Sequence, residues 1–149
     1  MTEFIVHPIG VIHSPFIKKE QTPIQSVRSH AVGQVDVYLE YADGLKDIEN
    51  LSHIHLLYAF HESSGFALHV KPFLDDQEHG IFATRYPYRP NPIGISIVRL
   101  LSRKENILTI EGVDVLDGTP LLDIKPYIPD FDIRTEDVRV GWYETRSKK

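Results

Sequence analysis

The sequence predicts an all-β fold, a small closed or nearly closed antiparallel β-barrel with minor helical turns and no Rossmann sheet. Three observations predict it. Short runs rich in Val, Ile and aromatic residues recur along the chain, punctuated by Gly, Pro, Asn and Asp. No stretch shows the 3.6-residue periodicity of a long amphipathic helix. The βαβ alternation of a nucleotide-binding open sheet is missing, together with any Gly-x-Gly-x-x-Gly or Walker-type lysine loop. Closure is favoured over an open sandwich because it removes exposed edges. At 149 residues, with 42% apolar and 25% charged content, one domain over residues 1–149 is expected, large enough to bury its own core.

Residues 4–13 (FIVHPIGVIH) carry β-branched residues, with Pro8 marking an edge or bend. Residues 16–31 are polar and read as a long loop, a length that is usually functional. In residues 32–40 the alternation places Val35, Val37 and Leu39 on one face and Asp36, Tyr38 and Glu40 on the other, a half-buried strand. Residues 42–49 suit one or two helical turns with Leu45 and Ile48 inward. Residues 53–62 (HIHLLYAFHE) form a long apolar strand with histidines at both ends; residues 66–70 and 80–84 read as two short strands. Residues 94–101 and 107–115 are strands joined by a turn over 102–106. The tight-turn pair Asp117-Gly118 then leads into a strand at 121–124, so 114–125 reads as an acidic hairpin. A last strand is expected over 138–144.

The absence of cysteine excludes disulfides, thiolate catalysis, cysteine-ligated zinc and iron–sulfur clusters, and fits a reducing, cytoplasmic setting. No apolar run reaches the ~20 residues of a spanning helix, so no membrane association is expected. The N-terminal MTEFIVHPIG has no basic leader, which argues against a secretory signal. A net charge of -5 argues against bulk, sequence-blind nucleic-acid binding, but leaves RNA contact through a local cationic patch open.

The chemistry concentrates in residues 85–127. Pro87, Pro90 and Pro92 stiffen a loop that also holds Arg85, Arg89, Asn91 and Gly94. Arginine offers a planar fork for carboxylates and phosphates, and Gly94 permits close backbone approach or an unusual φ. Downstream stand Asp114, Asp117, Asp123 and Lys125, the last two sharing a strand face. Asp117 is either turn chemistry or function; one carboxylate suits a ribose or ammonium group, another a general base with Lys125 beside it. His53 and His55 share a face and resemble the His-x-His pair of metal-binding cupins. The acid stands too far away at Glu62 and no suitable later histidine follows, so no metal is expected.

These residues resemble the TrmO/TsaA-like (YaeB-type) family. The resemblance runs over nearly all of the chain. It rests on Ile9-Gly10-Val11-Ile12 before Ser14-Pro15, Phe60-His61, Gly80-Ile81-Phe82-Ala83-Thr84-Arg85 and Arg89-Pro90-Asn91-Pro92-Ile93-Gly94. It continues through Asp117-Gly118-Thr119-Pro120 into Leu122-Asp123-Ile124-Lys125-Pro126-Tyr127. It implies a small barrel that binds S-adenosyl-L-methionine without a Rossmann domain, a homodimer with the cofactor near the subunit interface, and methylation of the exocyclic nitrogen of threonylcarbamoyladenosine beside a tRNA anticodon. The implied cofactor contacts are Gln25, Ser26, Val27, Arg28, His61, Glu62, Arg85, Ile95, Glu111, Gly112, Val113 and Asp114. Asp117 or Asp123 is the expected base. Lys125 and Tyr127 orient the modified adenine, and Arg89 with Asn91 meets the substrate. The loop here reads Pro23-Ile24-Gln25-Ser26-Val27-Arg28 where many members have Arg-Gln, and the chain stops at Lys149 where longer bacterial members extend. The second reading is a cofactor-binding module without methyl transfer.

Overall fold

The computed structural model describes residues 2–24 and 29–145. Gly10–His13 forms β1, Val32–Val37 β2, His53–Ala59 β3, His69–Val70 β4, His79–Gly80 β5, Ile93–Lys104 β6, Ile107–Glu111 β7 and Thr119–Pro126 β8. Among the described residues, β1-β2-β7-β6-β3-β8 close into an antiparallel barrel, and β4 and β5 form a separate two-stranded sheet. The chain divides into two compact units, residues 1–61 with 93–127, and residues 62–92 with 128–149.

The barrel follows from period-two alternation. On β6, Gly94, Ser96, Val98 and Leu100 are buried while Ile93, Ile95, Ile97 and Arg99 face out. On β3, Ile54, Leu56 and Tyr58 are buried. With Ile12, Val35, Val37, Leu108, Ile110 and Leu121 they fill the interior. Strand direction alternates around the barrel, so its ends sort into two rims. The ends of β1, β3 and β7 meet the starts of β2, β6 and β8 at one rim, as the pairs His13↔Gln34, Ile12↔Thr119, Ala59↔Ile93 and Glu111↔Val32 show. We call this the first rim. At the second rim Leu45 and Ile48, from the 3₁₀ segments Leu39–Leu45 and Ile48–Asn50, join the core. Arg103 ties this plug down, its Nη1 donating to the Leu45 carbonyl at 2.9 Å and to Glu49 Oε2 at 3.1 Å.

Several expected elements differ. The first strand is only Gly10–His13. The second stops at Val37, because the Tyr38 amide bonds to the Ile9 carbonyl and the chain then coils into a 3₁₀ segment that leaves Leu39 78% exposed. The β6–β7 turn is shorter than expected, with Glu105 at φ 55 and Asn106 Nδ2 donating to the Val37 carbonyl at 2.8 Å. The acidic segment is not a hairpin. β7 pairs with β2 and β6, whereas β8 pairs with β1 and β3, so residues 112–118 cross the first rim between non-adjacent strands.

In the second unit, residues 81–83 are a 3₁₀ turn rather than a strand, because the Thr84 amide and Oγ1 both donate to the Ile81 carbonyl. Pro129–Asp132 forms the short helix α1. The expected strand at 138–144 is instead an irregular run into the 3₁₀ turn Gly141–Thr145, with Gly141 at φ 61. Trp142 anchors it: its Nε1 donates to the Ala83 carbonyl at 2.8 Å, and its ring stacks on His79 at 5.2 Å. His79 Nε2 in turn meets Asp75 Oδ2 at 2.5 Å. No described helix is long and apolar enough to cross a membrane.

Candidate cofactor rim and outer wall

The barrel's first rim gathers most of the expected cofactor residues of its unit. His61 lies two residues past the end of β3, Ile95 near the start of β6, and Glu111 at the end of β7. Gly112, Val113 and Asp114 begin the crossing. Gly112 at φ 99 bends the chain off β7, and the Gly112 and Val113 amides both donate to the Ala31 carbonyl. Gln25, Ser26, Val27 and Arg28 lie outside the described residues. Their neighbour Ser29 is buried, its Oγ donating to the Val113 carbonyl at 2.6 Å and accepting from the Ala31 amide at 3.2 Å. Hence Ser29 is bonded directly to the 112–114 segment.

Asp114 is held from inside the barrel. Ser96 Oγ donates to Asp114 Oδ1 at 2.6 Å, and Ser96 Oγ and the Tyr58 hydroxyl are 2.7 Å apart. Ser96 and Tyr58 are both 4% exposed. Gly94 makes room for this arrangement: a Cβ there would stand 2.7 Å from Phe60 Cζ and 2.8 Å from Tyr58 Cζ. Close approach, not φ, is therefore what requires glycine at this position.

The expected catalytic residues separate along β8. Asp117 sits on the first-rim crossing, where its Oδ1 accepts from the Ser14 amide at 3.0 Å and lies 3.3 Å from His13 Nδ1. Gly118, at φ 83, completes the turn. Asp123 and Lys125 face outward on the wall and pair at 3.1 Å, opposite Leu57 and His55. Tyr127 reaches the second rim, where its amide bonds to the His53 carbonyl and its ring meets His53 and His55 edge-on at 6.1 and 5.7 Å. Tyr127 thus follows the second-rim end of β8, whereas Asp114 follows the first-rim end of β7. Asp123, Lys125 and Tyr127 form one outer-wall group, and Asp117 belongs to the other end.

In the second unit, Glu62, Arg85 and Asn91 are exposed. Arg89 is half-buried and bends its own loop: Nη1 donates to the Thr84 and Tyr86 carbonyls at 2.8 and 3.0 Å. The loop is tied further by Ser63 Oγ to the Pro87 carbonyl and by the Ala67 amide to the Tyr88 carbonyl. Among the described residues no group of three or more His, Asp or Glu is arranged to hold a metal ion.

A closed six-stranded barrel with a carboxylate held at its rim by buried hydroxyls defines a class of small β-barrel whose polar site owes nothing to a Rossmann sheet. The model of the tRNA-methyltransferase O N-terminal domain matches residues 11–133, and the chain belongs to this family. It is 56% identical to a probable S-adenosyl-L-methionine-binding protein of Pyrococcus abyssi, over 95% of this chain and 77% of the relative. It is 38% identical to the Escherichia coli tRNA (adenine(37)-N6)-methyltransferase, over 87% of this chain but 60% of that enzyme. A crystal structure of TrmO superposes with a TM-score of 0.78 at 39% identity, covering 93% of this chain and 64% of that one. The chain therefore spans less than two thirds of these two longer proteins.

Ser29, Tyr58 and Ser96 were not singled out as site residues by sequence. Ser96 did leave a signal, a hydroxyl at an inward position of the otherwise apolar run GISIV. Ser29 left none, because its bond to Val113 joins residues 84 apart in the chain.

Proposed function

We propose that this chain is an S-adenosyl-L-methionine-dependent tRNA methyltransferase that acts on the exocyclic nitrogen of adenine 37, with threonylcarbamoyladenosine as the acceptor. The observation that supports it most is the first rim. There an oriented carboxylate, the crossing 111–114 and Ser29 come together in a family of tRNA methyltransferases. A carboxylate acceptor fits the hydroxyls or ammonium of the cofactor, so Asp114 is assigned to hold it, with His61, Glu62, Arg85, Ile95 and the loop residues Gln25, Ser26, Val27 and Arg28. When bound, S-adenosyl-L-methionine supplies an electrophilic methyl group.

The chain's own work is to position the acceptor nitrogen and take its proton, and positioning alone removes several kcal/mol of barrier. Asp117 or Asp123 is the base. Lys125 and Tyr127 form a cationic and aromatic wall for the modified adenine, while Arg89 and Asn91 meet the substrate. A homodimer belongs to this reading, because the outer face of β6 exposes Ile93, Ile95 and Ile97 at 44%, 43% and 40%. That face offers apolar area for a second copy of the chain. A cytoplasmic location accompanies it.

A binding module without methyl transfer is the competing reading. It is favoured by relatives of similar length that are named only as S-adenosyl-L-methionine-binding proteins, including one of Archaeoglobus fulgidus that is 45% identical with 92% of its length covered. Incubation with methyl-labelled S-adenosyl-L-methionine and bulk tRNA separates the two. Label in adenine 37 supports transfer; bound cofactor with unlabelled RNA supports the module. Using tRNA lacking the threonylcarbamoyl group tests the finer substrate, and loss of label there is the expected result.

A further inference from the structure

Among the described residues the barrel unit buries only a few polar side chains, Ser29, Ser96 and Thr119, and one of them joins a buried tyrosine hydroxyl in a line. Tyr58 on β3 and Ser96 on β6 bury their hydroxyls side by side, and the line ends on Asp114 at the first rim. Burying a hydroxyl costs free energy unless it is hydrogen-bonded, and a Phe–Ala pair would fill similar space without that cost. The line also has a direction. The single hydroxyl proton of Ser96 goes to Asp114 Oδ1, so the proton between the two hydroxyls must come from Tyr58. Both donors therefore point toward the carboxylate, and each bond polarises the next. Asp114 stands off the strands, three residues past the end of β7. Tyr58 and Ser96 do stand on paired strands, and Gly94 sits directly opposite Tyr58 in register, leaving the ring its space.

We propose that Tyr58 and Ser96 are positioning residues that orient the Asp114 carboxylate toward the O–H or N–H groups of S-adenosyl-L-methionine; this rests on the cofactor reading above. The barrel core thereby sets cofactor affinity through two hydroxyls that do not touch the cofactor.

The test is calorimetric titration of S-adenosyl-L-methionine into wild type, Ser96→Ala, Ser96→Thr, Tyr58→Phe, Asp114→Asn and the Ser96→Ala/Asp114→Asn double variant, with melting temperatures recorded without ligand. Ser96→Ala is expected to weaken binding about tenfold and Tyr58→Phe about threefold, as losing a hydrogen bond in such a chain implies. Ser96→Thr, which keeps the hydroxyl, recovers most of the loss. With Asn at 114, adding Ser96→Ala costs little more, because the two act through one another. Wild-type affinity in both Ser96→Ala and Tyr58→Phe overturns the proposal, as do single-variant losses that multiply in the double variant. If Ser96→Ala fails to fold, Tyr58→Phe decides alone. Failure of wild type itself to bind the cofactor overturns the underlying reading, and the inference with it.

Discussion

Gly94 shows how tightly one position can be set by its neighbours. A methyl group there would drive into the Tyr58 and Phe60 rings, so Gly94→Ala is expected to destabilise by roughly 1–3 kcal/mol, read from a urea denaturation midpoint. Asp117 carries a different question, because its carboxylate already serves the turn by accepting from the Ser14 amide. Asp117→Asn keeps an acceptor oxygen and should leave thermal stability close to wild type. A fall in labelled-tRNA yield in that variant identifies Asp117 as the base, whereas unchanged yield assigns the base to Asp123, whose Asn variant should then lose activity. Glu49 allows a signed prediction with pH. Backbone hydrogen bonding, then Arg103, holds its carboxyl below the usual glutamate range. A lowered folded pKa stabilises above the ordinary glutamate value, and that contribution disappears as pH falls through the lowered value. The advantage of wild type over Glu49→Gln should accordingly be present at neutral pH and vanish on acidification, as unfolding midpoints across pH would report. At this scale the sequence was readable where chemistry is local: Gly94, Asp114 and Asp117 stood out. Tyr58 and Ser29 did not, because an aromatic in a strand and a serine in a loop look ordinary until their long-range partners are known.

Among elements, period-two alternation made β2, β3, β6 and β7 legible, and burial follows it through β2, β3, β7 and, up to Leu100, β6. Elements without that alternation were misread. Residues 80–84 and 138–144 are rich in β-formers, yet Thr84 caps a 3₁₀ turn and Trp142 helps fasten the later segment through its indole N–H and its ring. Removing that fastening is informative. Trp142→Ala should leave the barrel intact but make the segment after Pro129 markedly more sensitive to limited proteolysis, with fragments identified by mass spectrometry. The acidic stretch 114–125 fails as a hairpin for a topological reason: Asp117-Gly118 is a turn in either case, and only pairing partners tell a hairpin from a crossing.

For the whole molecule, the apolar outer face of β6 is the feature that a single barrel leaves unexplained, since outward positions of a monomeric barrel are normally polar. Ile95→Asp is expected to convert a dimer to monomer in sedimentation analysis and to reduce labelled-tRNA yield with it. An unchanged mass would remove the dimer from the proposed function. Composition and alternation alone determined that this chain is an all-β barrel without a nucleotide-binding open sheet, because side-chain periodicity is a property of consecutive residues. Recurring motifs marked the family. Tertiary structure decided the rest. Closure in the order β1-β2-β7-β6-β3-β8 places Asp114 and Asp117 at one rim, carries Lys125 and Tyr127 toward the other, and runs two buried hydroxyls up to Asp114. Those relations depend on which strands become neighbours, and strand pairing joins residues far apart in sequence that no local pattern encodes.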